Sequence, residues 1–213
     1  MFIDRKDAGV KLAKTLDRYK DRDILVLAIP RGGVEVAYEV AKYLNAELSL
    51  LISRKLPIPY NPEAGFGAIA EDGSIYIVPN ANSWLSKEEI EKIKKDQIDE
   101  IKRRINILRQ GKPLPEIKGR TVIIIDDGLA MGSTMRAAIE LCKNKKARRI
   151  IVAVPVASGD VKDEISKLVD EIIILEMPVF FNAVAQVYLN WHDVTDNEVL
   201  EILNRLKNKN TYK

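Results

Sequence analysis

Sulfur and imidazole are scarce in this chain, and each shortage narrows the chemistry. One cysteine, Cys142, stands among 213 residues, so no internal disulfide forms and a reducing compartment is expected. The one histidine, His192, follows Trp191 and reads as structural or exposed rather than as a catalytic base. No apolar run approaches the ~20 residues of a membrane span, and Met1-Phe-Ile-Asp-Arg-Lys lacks the long apolar region of a signal peptide. The expectation is a cytoplasmic protein with no membrane partner. Excess charge of one sign is also missing: 34 Lys and Arg against 31 Asp and Glu leave +3, too little to announce nucleic acid. Neither a Gly-x-Ser-x-Gly elbow nor a histidine in a strand-end loop is present, which disfavours ester hydrolysis.

What is abundant is alternation. The length suits a single domain, 1–213, able to bury roughly 70% of its unfolded surface. Val10, Leu12, Leu16 and Tyr19 predict a first helix over 5–20. The apolar run Ile24 to Ile29 predicts a strand, followed by Pro30-Arg31-Gly32-Gly33 and a helix from Val34 to Leu44. Leu48 to Ser53 predicts a second parallel strand ending at Arg54-Lys55, and the prolines at 57, 59 and 62 predict a long loop or short hairpin, with Ile75 to Val78 as a return strand. Ser86 and Glu89 form a capping-box pair that opens a long helix, 86–110. Its charged face is read as solvated, with a homodimer contact as the alternative. Strands at 121–126, 149–154 and 171–175, with helices at 133–145 and 160–168, complete an α/β fold: a parallel sheet flanked by helices on both faces, then a C-terminal tail, 176–213.

One segment concentrates three devices. Val122-Ile-Ile-Ile-Asp-Asp-Gly-Leu-Ala-Met-Gly-Ser-Thr-Met135 joins a doubly buried strand, two acids and a small-residue loop that opens a helix. The loop Gly128, Leu129, Ala130, Met131, Gly132, Ser133 with Thr134 gathers N–H groups and hydroxyls at a helix N-terminus, which suits a phosphate. Asp126 and Asp127 could hydrogen-bond two neighbouring hydroxyls, and a diol beside a phosphate is a ribose 5-phosphate. The plain alternative is a solvated turn before a helix. This order of parts resembles the phosphoribosyl pyrophosphate signature of the type I phosphoribosyltransferases, and the likeness extends over nearly the whole chain. The resemblance implies that Asp126 and Asp127 hold the ribose hydroxyls while the loop wraps the 5-phosphate. Met131 departs from the family pattern, which carries a hydroxyl residue there, so the resemblance implies one phosphate hydrogen bond fewer.

Other pieces fit the same resemblance. Arg31, Gly32 and Gly33 lie in a second strand-to-helix glycine loop, which in the family holds pyrophosphate, often through a cis non-proline peptide; a tight packing turn is the alternative. Arg54 and Lys55 match positions that meet pyrophosphate oxygens, or else form a solvated pair. The segment Tyr60 to Gly73 resembles the corresponding loop of a poorly characterised subgroup, in a region that closes over the reacting centre. Phe180, Phe181, Tyr188 and Trp191 cluster in the tail, where family members build a hood selecting the acceptor; these rings, Phe180 and Tyr188 above all, either stack a flat base or pack a satellite core.

The resemblance implies an enzyme of nucleotide metabolism that binds phosphoribosyl pyrophosphate with Mg²⁺ and transfers ribose 5-phosphate to a nitrogen nucleophile. Asp126, Asp127 and Arg54 are its expected catalytic residues. Mg²⁺ is expected on ligand oxygens and water near the two acids rather than in a protein cage. A non-catalytic regulator that senses a phosphoribosyl ligand is the rival, although nothing resembles a separate DNA-binding domain.

Overall fold

Strand and helix alternate as the apolar periodicity requires. The computed structural model describes residues 1–59, 61–83 and 85–210, so Tyr60 and the end of the tail lie outside the described residues. In chain order the elements are α1 (Arg5–Thr15), β1 (Ile24–Ala28), α2 (Gly33–Leu44), β2 (Glu47–Leu50), β3 (Ser53–Ile58), β4 (Asn61–Ala70) and β5 (Ile75–Ile77). Then come α3 (Lys87–Arg109), β6 (Thr121–Ile125), α4 (Ser133–Asn144), β7 (Arg149–Val156), α5 (Gly159–Ser166), β8 (Glu171–Glu176) and α6 (Asp196–Asn210).

Five strands form one parallel sheet in the order β2-β1-β6-β7-β8. Successive residues of a strand face opposite sides, so a sheet covered on both faces needs continuous apolar runs. Val26, Ile123 and Ile151 join Leu12 of α1 and Val40 of α2 in one core. Leu27, Ile124 and Val152 join Met135 and Ile139 of α4 and Ile165 of α5 in the other. Each such side chain contributes about 1.5–3 kcal/mol when fully buried.

The segment after β2 departs from the sequence expectation. The parallel strand stops at Leu50, although the Leu51 N–H still donates to the Ala28 carbonyl at 2.9 Å. From Ser53 the chain pairs instead with Ala70, so Arg54 and Lys55 lie inside β3 of a separate antiparallel sheet, β3-β4-β5. They do not end a strand of the parallel sheet. The apolar triplet Leu50-Leu51-Ile52 spans the junction and carries no mark of where the chain passes from one sheet to another. Of the two expectations for 56–80, the hairpin holds and not the long loop: β4 runs back along β3 with register shifts around Pro57, Ile75–Ile77 returns along β4, and a Cβ on Gly67 would strike the Tyr76 carbonyl of that return strand. The helices α3 and α4 both pack on this small sheet, and a buried ion pair from Arg109 to Glu71 ties the end of α3 to the residue after β4.

The tail holds a helix not expected from the sequence. Thr195 Oγ1 accepts from the Glu198 N–H at 3.2 Å and the Glu198 carboxylate accepts from the Thr195 N–H at 2.7 Å, a reciprocal cap that starts α6. This helix packs on α2 and α3.

Candidate functional site

The sheet order reverses between β1 and β6, since the chain leaves β1 toward β2 but leaves β6 toward β7. A crevice at the carboxyl ends of the strands belongs at such a switch point. Both glycine loops open there. Ala28 pairs with Ile125, and the Ile29 N–H donates to the Ile125 carbonyl at 2.9 Å. A Cβ on Gly33 would sit 2.8 Å from Cα of Asp126, and one on Gly32 would run into the Asp127 carboxylate. Glycine is therefore what lets the first loop lie against the acid pair. The Pro30–Arg31 peptide is cis.

Helix ends distinguish this edge. The helices α1, α3 and α5 begin with side-chain caps from Asp4, Ser86 and Ser158, and α6 begins with Thr195. By contrast, α2 and α4 begin at Gly32 and Gly132, with no side-chain cap among the described residues. Their leading N–H groups and positive dipole ends suit anions supplied from outside the chain.

The two acids meet different partners. Asp126 Oδ1 accepts from the Asp127 N–H at 2.8 Å. Burial, then the neighbouring Asp127 carboxylate, pushes the Asp126 carboxyl well above the usual range. Asp127 Oδ2 accepts from Arg5 Nε at 2.7 Å. Arg5 is only 4% exposed, and the sequence does not single it out, because there it is one charge among many in an amphipathic helix. It has no spacing or motif signal.

In the second loop, a Cβ on Gly128 would press on Val156 and Val184 at 2.7 Å, and the Leu129 N–H is bonded to the Val156 carbonyl at 2.8 Å. Ala130 is half-buried, and Met131 is 55% exposed. Gly132 takes the left-handed conformation, φ 69°, that turns the chain into α4, where Ser133 is buried and Thr134 half-buried in the first turn.

Cations collect on one flank. Arg31 is half-buried, with Nη1 3.7 Å from Asp196 Oδ1. Arg54 donates from Nε to Gln97 Oε1 at 3.1 Å. Burial, then the charge of Arg104, with Arg31 and Arg103 adding to it, lowers the Arg54 pKa. The long helix thus brings two further arginines toward Arg54, a contribution its periodicity does not disclose. Lys55 follows Arg54 in β3, and its stem covers Gly65.

The tail aromatics divide. Tyr188 is 6% exposed, tilted between Phe2 at 5.7 Å and Trp191 at 5.5 Å, and its hydroxyl donates to the Asp127 carbonyl at 2.7 Å. With its ring so packed it belongs to a satellite core rather than to a wall for a base. For Tyr188 the packing matches the satellite-core alternative of the sequence reading. The cause is backbone pairing of the N-terminus with the tail, Phe2 N–H to the Val187 carbonyl at 2.7 Å, which no local pattern signals. Phe180 is 87% exposed, and Phe181 is half-buried.

A parallel α/β sheet with helices on both faces, and with two glycine-led helix starts and an acid pair at its switch point, defines the class of fold. The phosphoribosyl transferase domain model matches residues 4–190, and the chain belongs to the phosphoribosyltransferase family. Proteins of two Mycobacterium tuberculosis strains, CDC 1551 / Oshkosh and H37Rv, named provisionally as phosphoribosyl transferases, are each 37% identical over 207 residues, which is 96% of this chain and 47% of theirs. The chain thus spans about half the length of these relatives. The crystal structure of TT1426 from Thermus thermophilus superposes with a TM-score of 0.80 at 37% identity, covering 96% of this chain and 98% of that one.

Proposed function

We propose that the chain binds phosphoribosyl pyrophosphate with Mg²⁺ and transfers ribose 5-phosphate to a nitrogen nucleophile, a nucleobase or a small amine, releasing pyrophosphate. The observation that carries this reading is the pair of uncapped, glycine-led helix N-termini on either side of Asp126 and Asp127. Two separated anion seats flanking two hydroxyl acceptors match a sugar that carries a phosphate at one end and a pyrophosphate at the other. In this assignment Gly128 to Thr134 take the 5-phosphate, Arg31, Gly32 and Gly33 take the pyrophosphate, and Arg54 with Lys55 lends charge to that flank.

Mg²⁺ suits this donor set, because it takes one or two carboxylates together with substrate phosphates and water. When bound it would neutralise pyrophosphate oxygens. Among the described residues no group of three His, Cys, Asp or Glu side chains gathers around one point. In this assignment Mg²⁺ would be held mainly by ligand oxygens and water, near Asp126 and Asp127.

The bond from the anomeric carbon to pyrophosphate oxygen breaks, and its electron pair leaves with pyrophosphate. The acceptor nitrogen forms the new bond to that carbon and gives up its proton to water or to the departing pyrophosphate. Positive charge builds on the sugar ring in between. Acid oxygens on the ring hydroxyls and cations on the leaving group stabilise that state more than the ground state, which is what raises turnover.

A pyrophosphate-release assay with phosphoribosyl pyrophosphate, Mg²⁺ and a panel of purines, pyrimidines and small amines tests the assignment. Release with at least one acceptor is expected. No release with any acceptor, together with a melting curve unmoved by the sugar pyrophosphate, would sink it.

A further inference from the structure

Arg5 sits where three parts of the chain converge. Its Nε donates to Asp127 Oδ2 at 2.7 Å, its Nη1 donates to the His192 carbonyl at 2.9 Å, and the same nitrogen lies 3.4 Å from Glu35 Oε2. The guanidinium carbon lies 3.9 Å from the centre of the Trp191 ring and 5.9 Å from that of Tyr188. Tyr188 in turn donates its hydroxyl to the Asp127 carbonyl at 2.7 Å, so side chain and backbone of that acid are both tied to this cluster. A Cβ on Gly32 would lie 2.9 Å from Arg5 Nε, which places the guanidinium directly against the first glycine loop.

This arrangement does more than neutralise a charge. A carboxylate rotates about its terminal bond unless a partner holds one oxygen, and the fixed fork of an arginine is suited to do so. Arg5 claims Oδ2, leaving Oδ1 as the oxygen with which Asp127 would meet a ligand. The aromatic face holds the guanidinium from its flat side, where a cation–π contact is favourable.

We propose that Arg5 is a positioning residue for Asp127: it orients the carboxylate toward one ribose hydroxyl, and Trp191 with the His192 carbonyl holds Arg5 in place, so the tail helps to set the grip on the sugar. The inference rests on the phosphoribosyl reading of the site. It extends that reading by giving the segment after β8 a role in sugar binding besides any role in acceptor choice.

The test measures calorimetric affinities of the full chain for ribose 5-phosphate, 2-deoxyribose 5-phosphate, 3-deoxyribose 5-phosphate and inorganic pyrophosphate, in wild type, Arg5→Gln, Arg5→Lys and Trp191→Ala. Hydrogen bonds to charged groups are strong enough that losing the orientation should cost about tenfold or more. Arg5→Gln should therefore weaken ribose 5-phosphate by about tenfold, while affinity for one of the two deoxy sugars changes by less than about twofold and pyrophosphate binding holds. Lysine should recover part of the loss, and Trp191→Ala should move the same ligand in the same direction by a smaller factor. A purely structural Arg5 would weaken all three sugar phosphates alike, and that result overturns the proposal, as does no change with ribose 5-phosphate. Should Arg5→Gln fail to fold, the Arg5→Lys and Trp191→Ala variants must show the same selective loss, and its absence there counts against the proposal. Wild type that binds none of the sugar phosphates overturns the phosphoribosyl reading itself, before any variant is compared.

Discussion

At the scale of single residues, the site is governed by a methyl group at one position and a proton at another. Gly32→Ala would drive a Cβ into the Asp127 carboxylate, so the loop must shift by an amount that a packed turn resists. The expected result is a loss of about 1–3 kcal/mol of stability, read as roughly 2–4 °C of melting temperature per kcal/mol. Affinity for phosphoribosyl pyrophosphate should fall by at least about tenfold, and unchanged calorimetric affinity would remove the loop from the site. The proton belongs to Asp126, whose carboxyl is pushed up by burial and then by Asp127. A raised folded-state pKa means that the native state holds this proton where the unfolded chain has lost it. The associated stability is complete below the ordinary carboxylate range and is lost as pH rises through the raised value. Asp126→Asn removes the ionisation, so its melting temperature relative to wild type should climb as pH rises from the ordinary carboxylate range through the raised value, while turnover drops. A difference that stays flat with pH would show that Asp126 is not held in this way.

Elements assign labour among residues that look alike in the sequence. Phe180 and Tyr188 both occur in an aromatic-rich tail, yet one is exposed and the other lies between Phe2 and Trp191. Tyr188→Phe should lower stability by about 1 kcal/mol through loss of one buried hydrogen bond, and should leave the order of acceptor preference intact. Phe180→Ala should do the reverse, changing which acceptor supports pyrophosphate release without altering the melting temperature. If Tyr188→Phe alone reorders the acceptors, the division between core and hood is wrong. The loop into α4 offers a gain of function. Met131 is largely exposed, so Met131→Thr sacrifices little packing and adds a hydroxyl near the uncapped first turn. One further hydrogen bond is worth about 1 kcal/mol, so affinity for the sugar pyrophosphate should tighten about fivefold. Equal or weaker binding in titration would show that residue 131 points away from the phosphate. The same scale shows what is legible in advance: the Ser86–Glu89 capping box announces α3 correctly, and the Thr195–Glu198 pair carries a similar signal for α6 that the aromatic character of the tail obscures.

For the whole molecule, ligand binding and stability are linked. A ligand that binds only the folded chain adds about 2.7 kcal/mol at a hundred times its dissociation constant. Phosphoribosyl pyrophosphate with Mg²⁺ at that excess should raise the melting temperature by about 5–10 °C, at roughly 2–4 °C per kcal/mol for a chain of this size. A scanning fluorimetry trace that ignores the ligand would dismiss the crevice between β1 and β6 as its seat. The switch point makes the crevice a property of topology: β1 and β6 are adjacent in space although α2, β2, the small antiparallel sheet and α3 all lie between them in the chain. That sheet and α3 bring Arg54 and Arg104, from distant segments, close enough for their charges to act on each other.

The sequence alone determined the alternation of strand and helix, the burial of the parallel sheet on both faces, and the two strand-to-helix glycine loops with their acid pair. These are local properties: periodicity, β-branched runs and turn residues act within a few positions of one another, so they survive in a one-dimensional reading. Only the tertiary structure decided that Ser53 leaves the parallel sheet for another, that Arg54 keeps company with Arg104, that Tyr188 closes a small core, and that Arg5 reaches an acid 122 positions away. Those pairings depend on how packed elements bring remote side chains together, and no spacing along the chain records which of 34 cations will find which of 31 acids.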